Sequence, residues 1–85
     1  MPSISMFFGI IIYMYFDEHN PPHFHARYQG YKAAFDFEGD MIAGELPPKQ
    51  HKLVAAWAVM HADELFANWE LLQRAEKPYR VDPLK

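Results

Sequence analysis

Cysteine is absent from this chain of 85 residues. That excludes disulfides, thiolate metal ligands and cysteine nucleophiles, and it suits a reducing compartment. Basic residues are few: eight Lys and Arg stand against eleven Asp and Glu, for a net charge of −3. This balance argues against a general nucleic-acid binder, which carries a basic excess, although a local basic patch stays open. A membrane span is also missing. Met1 to Phe16 is apolar, but Asp17, Glu18 and His19 interrupt it well before the length a bilayer requires. The same stretch has no basic start and no small-residue cleavage site, so it is not expected to act as a signal peptide. No repeat or low-complexity tract occurs, and the chain is expected to be soluble and cytoplasmic.

Apolar residues are plentiful instead. Hydrophobic residues make up 51% of the chain and aromatics 16%. A single domain of this size buries roughly 60–65% of its unfolded surface. A composition this rich therefore implies apolar surface covered by another copy or another protein.

Ile4 to Phe8 reads as a first strand ending at the turn residue Gly9. Ile10 to Phe16 is apolar on both alternating faces, which predicts a strand covered on two sides. One helical layer covers only one face, so the other is expected to meet a partner or to curl. Pro21 and Pro22 then hold a loop extended. His23 to Tyr28 and Tyr31 to Phe37 form two strands about Gln29-Gly30. A two-residue turn there pairs Tyr28 with Tyr31, Arg27 with Lys32, His25 with Ala34 and His23 with Asp36. Phe24, Ala26, Tyr28, Tyr31, Ala33, Phe35 and Phe37 then share the core face. His23, His25, Arg27, Lys32, Ala34, Asp36 and Glu38 share the opposite one.

A turn at Glu38-Gly39-Asp40 leads to a short strand, Met41 to Glu45, which Leu46-Pro47-Pro48 ends. Beyond it the period becomes helical: Val54, Trp57, Ala58, His61, Leu65, Asn68, Trp69 and Leu72 fall on one stripe. This predicts a helix from about Pro48 to about Ala75, either continuous or broken near His61-Ala62 with Asp63 and Glu64 opening a second segment. Pro78 and Pro83 mark residues 77–85 as an extended tail. The expected architecture is α+β: one domain over residues 1–76, with an antiparallel meander of four or five strands followed by one long or broken C-terminal helix.

Three of the five histidines lie within His19 to His25. His23 and His25, two apart on a strand, project to one face, a common way to offer two metal ligands. His19 from the loop and Asp36 from the facing strand complete a candidate set for Zn²⁺ or a similar transition ion, and Asp17 or Glu18 could approach from the same loop. An ordinary hydrogen-bonded surface, with Asp36 orienting His23, explains the same residues. The glutamate that a cupin-type His-x-His box requires a few residues later is absent. A second chemistry is metal-free phosphodiester cleavage, with His23 and His25 as acid and base and Arg27 or Lys32 stabilising the pentavalent phosphate. The spacing of His19 and His23 breaks the alternation of a histidine-triad hydrolase. The third reading is a protein-binding face made by His23, His25, Arg27, Lys32 and Asp36 beside apolar surface. His61, Trp57 and Trp69 read as core, and His51 as exposed.

The segment Pro21-Pro22-His23-Phe24-His25-Ala26-Arg27-Tyr28 resembles the box of a small bacterial family known as domain of unknown function 4160. The resemblance extends through Gly9-Ile10, Tyr31 to Gly39, Leu46-Pro47 and Trp57…His61…Leu65…Asn68-Trp69. The family name implies no activity. Its members resemble one another in being encoded beside a second small protein, which implies a toxin–antitoxin-like pair and a protein partner. A small protein-binding module is therefore the leading expectation, and a metal- or histidine-dependent hydrolase of RNA or another phosphodiester the alternative.

Overall fold

The computed structural model describes residues 2–16 and 18–85. Five strands run in chain order across one antiparallel sheet: β1 (Ser3–Phe7), β2 (Ile10–Tyr13), β3 (His23–Tyr28), β4 (Tyr31–Asp36) and β5 (Met41–Gly44). Two helices follow, α1 (Pro48–Met60) and α2 (Ala62–Gln73). The architecture is the expected α+β meander, with five strands and a broken helix.

The β3–β4 hairpin holds the register that turn arithmetic predicts, from Tyr28 opposite Tyr31 to His23 opposite Asp36. Gln29 and Gly30 both have positive φ, 43° and 86°, as a type I′ turn demands. Gly30 adopts that conformation without strain, whereas Gln29 holds it as a side-chain-bearing residue. A second glycine is required at the far edge. Gly44 has φ +77°, and a Cβ there would run into the Lys32 carbonyl oxygen and the Ala33 Cα. The β4–β5 pairing is irregular between Ala34 and Phe35, and it depends on this close backbone approach.

The core lies on one face of the sheet. Ile4, Phe7, Ile10, Ile12, Phe24 and Phe35 pack against Val54, Trp57, Leu65, Trp69 and Leu72 of the helices. Phe24 stacks on Phe35 with ring centres 5.6 Å apart, and Trp57 meets the edge of Phe24 at the same distance. The helix breaks at His61, whose φ of −120° leaves the helical well. The His61 amide still donates to the Trp57 and Ala58 carbonyls, which closes α1. Asp63 and Glu64 lie in the first turn of α2, where acidic side chains complement the helix dipole. The break turns the chain while both segments keep apolar faces on the sheet.

Two expectations are altered by packing. Residues 77–85 have no regular secondary structure, yet they are stitched into the domain. Val81 is buried, and its amide donates to the Ile4 carbonyl at 2.8 Å. The Trp57 indole N–H donates to the Asp82 carbonyl, and Asn68 exchanges two hydrogen bonds with the Tyr79 backbone. Trp57 and Asn68 thus fix the tail as well as fill the helix stripe. The long apolar run also ends as a strand at Tyr13 and does not continue to Phe16. Tyr13 is nonetheless buried on the face away from the helices. His25 stacks on its ring, Tyr15 packs edge-on, and the Arg27 guanidinium sits 5.7 Å from its centre. The second covering of β2 comes from the sheet's own side chains at this point.

Candidate functional site

The β2–β3 pairing sets Tyr13 opposite His25 and Ile11 opposite Arg27. Strand periodicity then sends His23 and His25 to the same side, at the end of β3 where the loop from β2 returns. Glu18, on that loop, is the acid that meets them. Its Oε1 lies 3.1 Å from His25 Nε2 and 3.6 Å from His23 Nε2. Among the described residues, Glu18, His23 and His25 are the three side chains that converge in this way, with one ligating atom of each within 4.8 Å of the others.

Each member is held in place. The peptide between Asn20 and Pro21 is cis, and the Pro21 carbonyl lies 2.6 Å from His23 Nδ1. A carbonyl only accepts, so Nδ1 carries a proton, and in the neutral ring the lone pair of Nε2 faces Glu18. Trp69 of α2 packs on the His23 ring at 5.5 Å, and that ring is about nine-tenths buried. His25 is clamped between Tyr13, stacked at 5.2 Å, and Tyr15, edge-on at 4.8 Å. The Gln73 side chain donates to the Glu18 carbonyl at 2.8 Å and ties the loop to the end of α2.

Burial alone would raise the Glu18 pKa. The hydrogen bond from His25 and the electrostatic pull that His23, His25 and His19 exert in their protonated forms outweigh it and hold the carboxyl below its ordinary range. The site is thus built to keep a carboxylate ionised against two imidazoles while largely screened from water. A pair of histidines oriented on one carboxylate can exchange protons with a substrate or share a cation.

The remaining residues singled out by sequence lie outside this cluster. His19 is beside it, with Nδ1 3.8 Å from Glu18 Oε2, but its side chain is 91% exposed. Asp36 faces His23 across the hairpin, as expected, yet its Oδ1 accepts the backbone amides of Glu38 and Asp40, each at 2.9 Å. That carboxylate is engaged in closing the β4–β5 turn, a role for which short acidic side chains are well suited. Of the candidate set His19, His23, His25 and Asp36, the structure brings His23 and His25 together, with Glu18 between them, and holds Asp36 elsewhere. Asp17 lies outside the described residues. Arg27 lies over Tyr13 and Lys32 is exposed, both on the same face as His25. His51 is half-buried against Phe35 and is not exposed as expected.

Next to His25, an open cleft of about 270 Å³ runs over the uncovered side of the sheet. Tyr13, Tyr15, His25, Lys32, Ala34 and Ala43 line it. Tyr13 and Tyr15 were not legible as site residues because the β2–β3 register depends on a long loop, and Gln73 was not because its contact with Glu18 joins residues 55 apart in the chain. A larger hollow at the hairpin tip is lined by Lys32 and Glu45 without any histidine.

No helix among the described residues is long and apolar enough to cross a membrane. No curated protein and no solved structure shows significant similarity to the chain. A family model described as Domain of unknown function (DUF4160) matches residues 9–70, which take in the whole histidine box, the sheet from β2 onward and most of both helices, and the chain belongs to that family.

Proposed function

We propose that this chain is a small cytoplasmic protein-binding module, one member of a two-gene toxin–antitoxin-like pair, and that the sheet face opposite the helices meets the partner. The observation that carries this reading is the one-sided packing. Both helices and the C-terminal segment lie on one face, and among the described residues the other is covered only at its end, where the loop carrying Glu18 and the Trp69 ring meet His23. That uncovered face offers the mixture typical of binding surfaces. Met6 is 58% exposed on β1, Tyr15 is 40% exposed beside the cleft, and Ile11 is half-buried between Met6 and Arg27. Arg27 and Lys32 supply a polar margin. The test is to measure mass in solution for this chain alone and co-expressed with the product of its neighbouring gene. A stable complex is expected, lost in a Met6→Ser/Tyr15→Ser variant that keeps its fold. A folded monomer that ignores the neighbour overturns the reading.

A second reading, hydrolysis of RNA or another phosphodiester, draws support from the Glu18–His25 contact opening onto a cleft that also holds Lys32. In this chemistry one imidazole removes a proton from the attacking group and the other protonates the leaving oxygen, while Lys32 meets the phosphate charge. Cleavage should vanish in His23→Ala and in His25→Ala. Cleavage at full rate in both variants identifies a contaminant and removes this reading.

A further inference from the structure

We infer that Glu18, His23 and His25 form a binding site for one divalent transition ion of the Zn²⁺ class, with both histidines ligating through Nε2, His25 releasing the proton it otherwise donates to Glu18, and Glu18 ligating through its carboxylate. The inference is independent of the partner reading, since a metal at this position needs no second protein.

Distance is the first argument. Ligand bonds of about 2.0–2.1 Å in a tetrahedral site place ligand atoms roughly 3.4 Å apart. The Glu18 Oε1 to histidine Nε2 separations of 3.1 and 3.6 Å bracket that edge. The three ligating atoms lie within 4.8 Å of one another, so an ion seated at Glu18 would draw the two imidazoles closer together to reach tetrahedral spacing.

The second argument is the support around the ligands. A ligating histidine characteristically donates its other ring N–H to a carbonyl or carboxylate, which fixes the tautomer and aims the lone pair at the metal. His23 does this through Nδ1 to the Pro21 carbonyl, so its Nε2 is preset as a ligand. Trp69 beside His23 and Tyr13 beside His25 provide an apolar wall that lowers the local dielectric. Gln73 anchors the backbone of Glu18 itself.

The donor chemistry selects the ion. Two imidazoles and one carboxylate suit Zn²⁺, Co²⁺ or Fe²⁺ and are poor for Ca²⁺ or Mg²⁺, which prefer oxygen. Three protein ligands leave at least one coordination position for water or another molecule. His19, at the rim and mostly exposed, is not needed to complete the set.

The test uses the full chain free of any histidine tag, titrated with Zn²⁺ against a chromophoric chelator and separately with Co²⁺, whose visible spectrum reports coordination. The expected result is one equivalent bound at micromolar affinity or better, with a Co²⁺ spectrum of low coordination number. Glu18→Gln and the double substitution His23→Ala/His25→Ala should each weaken binding by more than the roughly 10–100-fold that loss of an outer partner costs. Asp36→Asn and His19→Ala should leave affinity within about threefold of the parent, far less than an outer-partner loss. Binding only at millimolar Zn²⁺, or equal binding by the parent and the folded Glu18→Gln chain, overturns the inference. Glu18→Gln preserves side-chain shape and decides the question alone if the double variant does not fold.

Discussion

The two faces of the sheet are made from the same strands and solve opposite problems. On the helix side, Phe24, Phe35, Ile10 and Ile12 are completely buried against Trp57, Val54 and Leu65. Stability there comes from apolar area and close packing. On the other side no layer is laid down among the described residues, and burial is local. Tyr13 and His25 cover each other, Arg27 lies over Tyr13, and Glu18 closes the end with two histidines. One face holds the fold together, and the other holds chemically versatile side chains in fixed positions at little cost to the core. A small domain with one helical layer can keep a stable core and still present a preorganised polar surface.

Substitutions on the two faces should separate stability from binding, and the largest effect belongs to the core. Trp57→Ala removes the ring at the centre of the aromatic cluster and the hydrogen bond to Asp82. It should cost about 3–5 kcal/mol in denaturant unfolding, a large share of the stability of a small domain. A midpoint close to that of the parent would mean that the helix face is not the stabilising one. Gly44→Ala comes next. Its positive φ and the approach of Lys32 backbone leave no room for a methyl group, so a loss of roughly 1–3 kcal/mol is expected in the same measurement. Asn68→Ala breaks both hydrogen bonds to Tyr79 and should cost about 1–3 kcal/mol. It should also increase proteolytic cleavage within residues 77–85, and an unchanged cleavage rate would show that the clasp is not holding the tail. Met6→Ser/Tyr15→Ser should cost about 0.5–1.5 kcal/mol, from the edge contacts of Tyr15 with Tyr13 and His25, while it abolishes the partner complex. A loss of stability comparable to that of Trp57→Ala would erase the distinction between the faces.

Much of the fold was legible in the residues because local rules and global packing agree. The β3–β4 register followed from a two-residue turn, and alternation then sorted Phe24 and Phe35 from His23 and His25. The helical period found Val54, Trp57, Leu65 and Leu72, and Asp63-Glu64 marked where a second segment could start. The site was half legible for the same reason. Period two guarantees that His23 and His25 point together, but it says nothing about which acid a loop returns. Glu18 reaches them through a loop whose path the Pro21 carbonyl, Trp69 and Gln73 help to set, and those contacts are non-local or conformational. Asp36 was the natural choice from cross-strand pairing. Its carboxylate is drawn instead to the free amides of the turn two and four residues on, a local competition that register arithmetic does not include. Tyr13 looked like half of a doubly covered strand, and its cover proved to be His25 and Arg27 rather than another layer.

The claim that the uncovered sheet face is the working one is tested most directly by residue-resolved NMR. The isotope-labelled chain would be titrated with the purified product of its neighbouring gene. Shifts should concentrate at Met6, Ile11, Tyr15, His25 and Lys32, while the exposed apolar residues on the helical side, Val59, Met60 and Phe66, stay unmoved. Shifts confined to Val59, Met60 and Phe66, or none at saturating partner, would contradict it.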